Sequence, residues 1–263
     1  MKLIVAAILC ITAAGSIAGA VPVSCFVVHA EPTQADEAAF ASLVRLVALA
    51  DENHVPLTIL FTAQWAELVL ADPAKVVAVE GFLARGHEIG AHHHAYWATL
   101  DHAAQWDGYT NTPLDQLAAP DRLQFRGTMA AYWELVSSLP GARETACMGL
   151  GEADAVDWIC DLRYSTFGHT LSDALSEPTA ITVNGCDALQ IHHALLVEPA
   201  PGELADLYAQ TADDVLFAVV AHVSDYADHP LVVARWFEAL AVQDPLGTRR
   251  MTVAGAVQTW KSQ

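Results

Sequence analysis

Lysine is nearly missing from this chain: Lys2, Lys75 and Lys261 are the whole complement in 263 residues. Lys and Arg together number 12 against 31 Asp and Glu, which leaves a formal charge of −19. A chain so poor in cations has no counterion-release route onto a phosphate backbone, which excludes nucleic acid as a partner. Anionic lipid surfaces repel it as well. The balance suits an extracellular or salt-adapted protein and says nothing about fold. Cysteine is scarce too, with five in all and none at C-x-x-C spacing, which argues against a cysteine-built zinc site. Cys25, Cys147, Cys160 and Cys186 lie beyond the N-terminal segment and allow three disulfide pairings. Cys25 sits in an apolar run and reads equally as a buried thiol or a bridge partner. Internal repeats and long Pro/Gly/Ser linkers are absent as well.

The one long apolar run that could meet a membrane is at the start. Met1-Lys2 leads into an apolar stretch from Leu3 to Ala14, and Ala18-Gly19-Ala20 supplies a small-x-small cleavage pattern. This predicts a secretory signal peptide over residues 1–20, removed on export. Residues 3–20 are barely long enough to span a bilayer and contain Gly15 and Gly19, which favours cleavage over a stable membrane anchor. The mature chain is then expected to be secreted or periplasmic. Residues 21–263 suit a single large α/β barrel domain better than two domains.

Apolar periodicity alternates along the chain. Val21 to His29 is a near-continuous apolar run, as a strand covered on both faces requires. Phe40, Leu43, Leu46, Val47 and Leu49 recur at helical spacing between Thr33 and Asp51. Strand patterns follow at 56–62, 87–92, 144–148 and 215–221. Helical patterns lie at 65–70, 73–85, 121–138, 152–162 and 230–242. Asn184-Gly185, between 181–184 and 188–192, signals a hairpin. The segment from His102 to Ala119 reads as a long loop on the side of the site. Strands alternating with helices imply βαβ units and a parallel sheet.

Three consecutive histidines, His92-His93-His94, close the stretch Gly86-His87-Glu88-Ile89-Gly90-Ala91. On a strand, residues two apart share a side, so His92 and His94 project together and can chelate a divalent metal, while His93 points the other way. Other strand patterns also end in titratable residues: His29-Ala30-Glu31, His192-His193, and His222 with Asp225 beyond. One such histidine is usually a satisfied core residue. Four clusters at strand ends point to a site.

The segment Gly86 to Trp97 resembles the second motif of the polysaccharide deacetylase family of carbohydrate esterases, in the form of a divergent branch with H-x-H and an aromatic. Val55-Pro56-Leu57-Thr58-Ile59-Leu60-Phe61-Thr62-Ala63 resembles the family's second strand, and Thr252-Val253-Ala254-Gly255-Ala256-Val257 its closing strand-to-helix turn. The resemblance runs from about Pro22 to the C-terminus, strong over 55–97 and weak between 100 and 210. It implies a distorted seven-stranded (β/α) barrel. It also implies a hydrolase that removes N-acetyl groups from a polysaccharide with a divalent metal, zinc first among the candidates.

Carried over residue by residue, the resemblance makes Glu31, His92 and His94 the metal ligands. The family's first motif, T-F-D-D-G, places a catalytic base one residue before the ligand, and here that position is Ala30. His29, on the same side of the strand as Glu31, is the alternative base or an extra ligand. The third motif supplies an Arg that the stretch Ala146 to Gly151 lacks. The late L-x-x-H motif is best matched by Ala221-His222-Val223-Ser224-Asp225, which makes His222 the general acid with Asp225 beside it; His192 and His193 compete for that role. Tyr96, Trp97 and Trp106, with Tyr109, could stack a sugar ring or pack a loop. Metal-assisted hydrolysis is the chemistry such a set supports. A non-catalytic barrel that binds metal or carbohydrate is the second reading, favoured by Ala30 and the missing Arg. An esterase or another amidase on the same site is a third.

Overall fold

A computed structural model describes residues 21–96, 106–150, 152–197 and 201–263. The signal-peptide segment and Trp97 lie outside the described residues. The strands are β1 (Val23–Ala30), β2 (Leu57–Phe61), β3 (Glu88–His92), β4 (Cys147–Gly149), β5 (Tyr164–Phe167), β6 (Thr179–Val183), β7 (Cys186–Leu195), β8 (Leu216–His222) and β9 (Arg250–Met251). The helices are α1 (Glu37–Glu52), α2 (Ala63–Leu70), α3 (Pro73–Ala84), α4 (Ala119–Arg122), α5 (Met129–Val136), α6 (Ala142–Thr145), α7 (Pro201–Gln210), α8 (Val223–Asp228), α9 (Pro230–Gln243) and α10 (Val253–Lys261).

Seven strands close a parallel barrel in the order β1-β2-β3-β4-β5-β7-β8, with β8 pairing back onto β1. β6 lies antiparallel against β7, and β9 pairs with Ser24 and Cys25 of β1. The alternation of a strand sorts each one into two faces. Val23, Cys25 and Val27 of β1 fill the barrel with Leu60, Cys147, Ile191, Ala218 and Val220. Phe26, Val28 and Ala30 face the helix layer, where Phe26 meets Phe237 edge-on at 5.1 Å. Full burial of side chains of this size contributes about 1.5–3 kcal/mol each, so both faces of β1 hold the barrel together.

Local signals place the helices. Asp36 caps α1 by accepting from the Ala39 amide at 2.8 Å, and Phe40, Leu43, Leu46, Val47 and Ala50 form its buried face. Asp72 caps α3, with Pro73 opening its first turn. Asn184 and Gly185 take positive φ of 52° and 79°, the mirror-image turn that the Asn-Gly pair predicts between β6 and β7.

Three expected elements differ. The helix expected over 121–138 is broken into α4 and α5, because Arg126 and Gly127 hydrogen-bond in extended form to Gly108 and Thr110. The pattern at 152–162 forms only a 3-10 turn, Glu152–Asp157, whose last carboxylate is drawn toward the loop at Thr110 and Asn111. The strand expected over 144–148 starts later, since Ala146 takes a left-handed φ of 47° between α6 and β4. Of the three possible cysteine pairings, Cys160 bonds Cys186; Cys25 and Cys147 stay free and buried. Among the described residues no helix is long and apolar enough to cross a membrane.

Candidate metal centre and active site

On β1, β7 and β8 the inward column is apolar along the strand and turns to histidine at the C-terminal end. His29 on β1 lies in register with His222 on β8, His92 ends β3, and His193 lies on β7. Glu31 follows β1, two residues past His29. Its backbone is fixed by the Trp65 indole, which donates to its carbonyl at 2.9 Å. The Thr62 hydroxyl donates to the Ala30 carbonyl at 2.9 Å, and Tyr132 donates to the His92 carbonyl at 2.6 Å.

Glu31 is the hub. Its Oε1 lies 3.2 Å from His92 Nε2 and 3.5 Å from His222 Nε2, and its Oε2 lies 2.6 Å from His94 Nε2. The two Nε2 atoms of His92 and His94 are 2.9 Å apart. Ligands at 2.0–2.1 Å from a tetrahedral zinc stand roughly 3.3 Å from one another, so this triangle is the size of one face of such a site. His29, Glu31 and His92 offer a second, overlapping set, with donor atoms all within 4.8 Å of one another. Burial, the largest influence on Glu31, would raise its carboxyl, but His92 and His94 outweigh it and hold the group well below the usual carboxylate range. Burial lowers His92, assisted by the nearby His94 and His222 against the pull of Glu31. A carboxylate and two imidazoles within ligand-to-ligand distance fit a divalent cation.

His29 stacks on His92 with ring centroids 3.9 Å apart. Burial, then the neighbouring His92, His193 and His222, lower its proton affinity well below the usual imidazole value. Its Nε2 has no hydrogen-bond partner among the described residues and approaches Gly149. Gly149 is a tight point: a Cβ there would stand 2.5 Å from His92 Nδ1 and 3.3 Å from His29 Nε2. Only glycine leaves both rings in place.

His222 is paired with Asp225, whose Oδ2 lies 2.8 Å from the ring Nδ1 and also accepts from the His222 backbone amide at 2.7 Å. Burial would raise the Asp225 carboxyl, but the His222 contacts outweigh it and the group sits below its ordinary value. With Nδ1 engaged, Nε2 is the ring atom left toward Glu31. His93 turns away from this cluster, as strand alternation dictates. Its ring lies 2.7 Å from Asp107 and 3.3 Å from Asp157, all three side chains fully buried. Burial would lower His93, but the two carboxylates raise it to about 10.

A cavity of 290 Å³ opens over the cluster, lined by His29, Glu31, His92, His94, His193 and His222 together with Leu150, Thr166 and Phe167. His193 is 2% exposed, both its ring nitrogens lack a partner among the described residues, and burial pushes it down to about 3. His192, one residue earlier, is not in the wall, since neighbours on a strand face opposite sides. Tyr96, Trp106 and Tyr109 are not in the wall either. Tyr96 donates to Asp121 at 2.9 Å, Trp106 donates to the Tyr109 carbonyl at 3.0 Å, and Tyr109 is buried. Ala30 packs outward among the helices. The aromatic in the wall is Phe167, 43% exposed, which sequence reasoning missed. Its strand, Tyr164-Ser165-Thr166-Phe167, carries two polar residues and no clear apolar run; the aromatic residue before Gly168 was the available signal.

No protein-family model and no curated protein matches the sequence. Solved structures do. The chain is similar to a Mycobacterium smegmatis protein assigned as a polysaccharide deacetylase, with a TM-score of 0.52 at 10% identity over 92% of this chain and 91% of that one. It is similar to a protein of Pseudomonas aeruginosa PAO1 with the same assignment, with a TM-score of 0.56 at 14% identity over 91% of both chains. A 4-alpha-glucanotransferase from Thermococcus litoralis aligns with a TM-score of 0.51 at 12% identity, over 90% of this chain but 38% of that enzyme. The fold is thus a (β/α) barrel of the polysaccharide deacetylase type. At these identities the likeness speaks for architecture, and function has to be argued from the site.

Proposed function

We propose that the chain is a metal-dependent hydrolase that removes N-acetyl groups from a polysaccharide after export. The observation that carries this reading is the convergence of Glu31, His92, His94 and His222 on one cavity at the C-terminal end of the barrel. Glu31, His92 and His94 are the proposed ligands, with zinc the first candidate. A divalent ion held there supplies Lewis-acid polarisation of the acetyl carbonyl and acidifies water. Asp225 fixes the His222 ring through Nδ1, so Nε2 faces the substrate and hands a proton to the departing nitrogen. His29 is either a further ligand or the group that takes the proton of the attacking water. Its low proton affinity suits a ligand better than a strong base. His193 faces the same space with ring nitrogens that lack a side-chain partner among the described residues, available to a polar group of the substrate. Leu150 and the half-exposed Phe167 supply apolar surface for an acetyl methyl and a sugar face.

A second reading is supported by a specific observation. Ala30 points away from the cavity, and neither a lysine, an arginine nor a second carboxylate is in its described wall. A barrel with this wall could bind metal or carbohydrate without turnover. Elemental analysis of the purified protein, paired with acetate release from chitooligosaccharides and peptidoglycan, separates the readings. About one divalent ion per chain, lost on replacing Glu31, His92 and His94 by alanine, together with acetate release supports the hydrolase. Metal without acetate supports the binding barrel. Full occupancy in the triple variant removes the ligand assignment.

A further inference from the structure

His94 lies two residues beyond the end of β3. Asp107 grips its backbone from both sides: the Asp107 amide donates to the His94 carbonyl at 3.5 Å, and the buried Asp107 carboxylate takes the His94 amide. Asp107 Oδ2 accepts from the His94 backbone amide at 3.3 Å and also meets His93 Nδ1 at 2.7 Å, while Oδ1 accepts from the Tyr109 amide at 3.1 Å. The other side of the His93 ring meets Asp157 Oδ2 at 3.3 Å. Asp157 Oδ1 accepts from the Thr110 hydroxyl at 2.8 Å and the Asn111 amide at 2.7 Å. Every oxygen of both carboxylates is therefore used, with none exposed. Two such groups cost several kcal/mol each to bury, and a packed apolar cluster would hold a loop at least as well.

We infer that Asp107 and Asp157, through His93, are positioning residues that aim His94 at Glu31 and His92. The inference rests on the ligand assignment above. Outward-facing His93 is the pin: it ties the loop at 107–111 and the turn ending at Asp157 to the middle of the His run. The inward ligands on either side of it then have one orientation. The backbone of His92 is held from the same side by Tyr132.

The test measures zinc affinity by chelator competition, the visible spectrum of the cobalt-loaded protein, and thermal stability, in wild type, Asp107→Asn, Asp157→Asn and His93→Gln. Thr58→Val is the control, since Thr58 hydrogen-bonds Glu88 and the Val253 amide at the opposite end of the barrel. Loss of a group that orients a ligand weakens metal binding on the order of 10–100-fold. That loss is expected in Asp107→Asn, together with a changed cobalt spectrum, and a smaller loss in Asp157→Asn. Thr58→Val should lose stability and keep wild-type affinity and spectrum. If Asp107→Asn does not fold, the Asp157→Asn and His93→Gln proteins carry the comparison. Wild-type affinity and cobalt spectrum in these variants overturn the inference alone. A wild-type protein that binds no zinc overturns the ligand assignment and this inference with it.

Discussion

Replacing Gly149 by alanine adds one methyl at the tightest point of the site. The Cβ would stand 2.5 Å from His92 Nδ1, 3.2 Å from His92 Cε1 and 3.3 Å from His29 Nε2. Ordinary contact begins near 3.5 Å, so the His92 ring must retreat by roughly 1 Å. On its far side, Nε2 already lies 3.2 Å from Glu31 and 2.9 Å from His94. Metal sites tolerate about 0.2 Å of error in ligand distance, so a shift of this size removes His92 as a good ligand. Gly149 is not among the positive-φ glycines, so alanine adds no backbone strain and the effect isolates the clash. Overpacking of this kind costs about 1–3 kcal/mol, against a gain of about 0.4–1 kcal/mol from the stiffer unfolded chain. The variant should therefore fold with modestly lower stability and bind zinc at least about 10-fold more weakly. Chelator competition measures the affinity and circular dichroism the melting temperature. A folded Gly149→Ala protein with wild-type zinc affinity would refute the reasoning, because His92 would then not be a ligand in the orientation described.

Three further outcomes follow from other parts of the molecule. His222→Ala should lower kcat on the order of 10²–10⁴ with metal content unchanged; a drop in metal content instead would make His222 a ligand. His93, raised from an ordinary 6.5 to about 10 in the folded protein, binds its proton more tightly when folded. Its stabilisation is complete below about pH 6.5 and is lost as the pH climbs to about 10, with a slope of at most about 1.4 kcal/mol per pH unit. Denaturant unfolding of metal-free protein across that window should show the decline, and His93→Gln should flatten it; equal slopes in the two proteins would contradict a charged His93. Reducing Cys160–Cys186, which closes a separation of 26 residues, should lower stability by about 3.5 kcal/mol in the chain-entropy treatment. An unchanged melting temperature in the Cys160→Ser, Cys186→Ser protein would show that neighbouring packing already constrains that loop.

The residues of the site were easier to read in the sequence than the chain that carries them. His92 and His94 stand out because a strand puts alternate residues on one side, and that rule needs no tertiary information. His29, Glu31 and His222 stand out because each follows an apolar run. The apolar runs also gave β1, β2 and β8, the apolar Ile89 and Ala91 gave β3, and the helical spacing from Phe40 to Leu49 gave α1. β5 escaped notice because Ser165 and Thr166 are polar yet buried, a choice that makes sense only once the strand is closed between β4 and β7. Tyr96 and Trp106 looked like a wall because aromatic residues near a His run are ambiguous. Where their polar atoms go, to Asp121 and the Tyr109 carbonyl, is a long-range or loop-specific outcome.

By itself, then, the sequence determined the alternation of strand and helix, the sidedness of each histidine and the poverty of positive charge, since all three are local properties. Tertiary structure decided which of the strand-end groups meet. Closure of the barrel brings His92, His94 and His222, from the ends of β3 and β8, within 2.6 to 3.5 Å of Glu31 past β1, although they stand far apart in the chain. The same closure sets Gly149 beneath His92 and His29, selects Cys186 for Cys160, and puts Asp107 and Asp157 on either side of His93. Such contacts depend on register across non-adjacent segments, and no local pattern encodes that register.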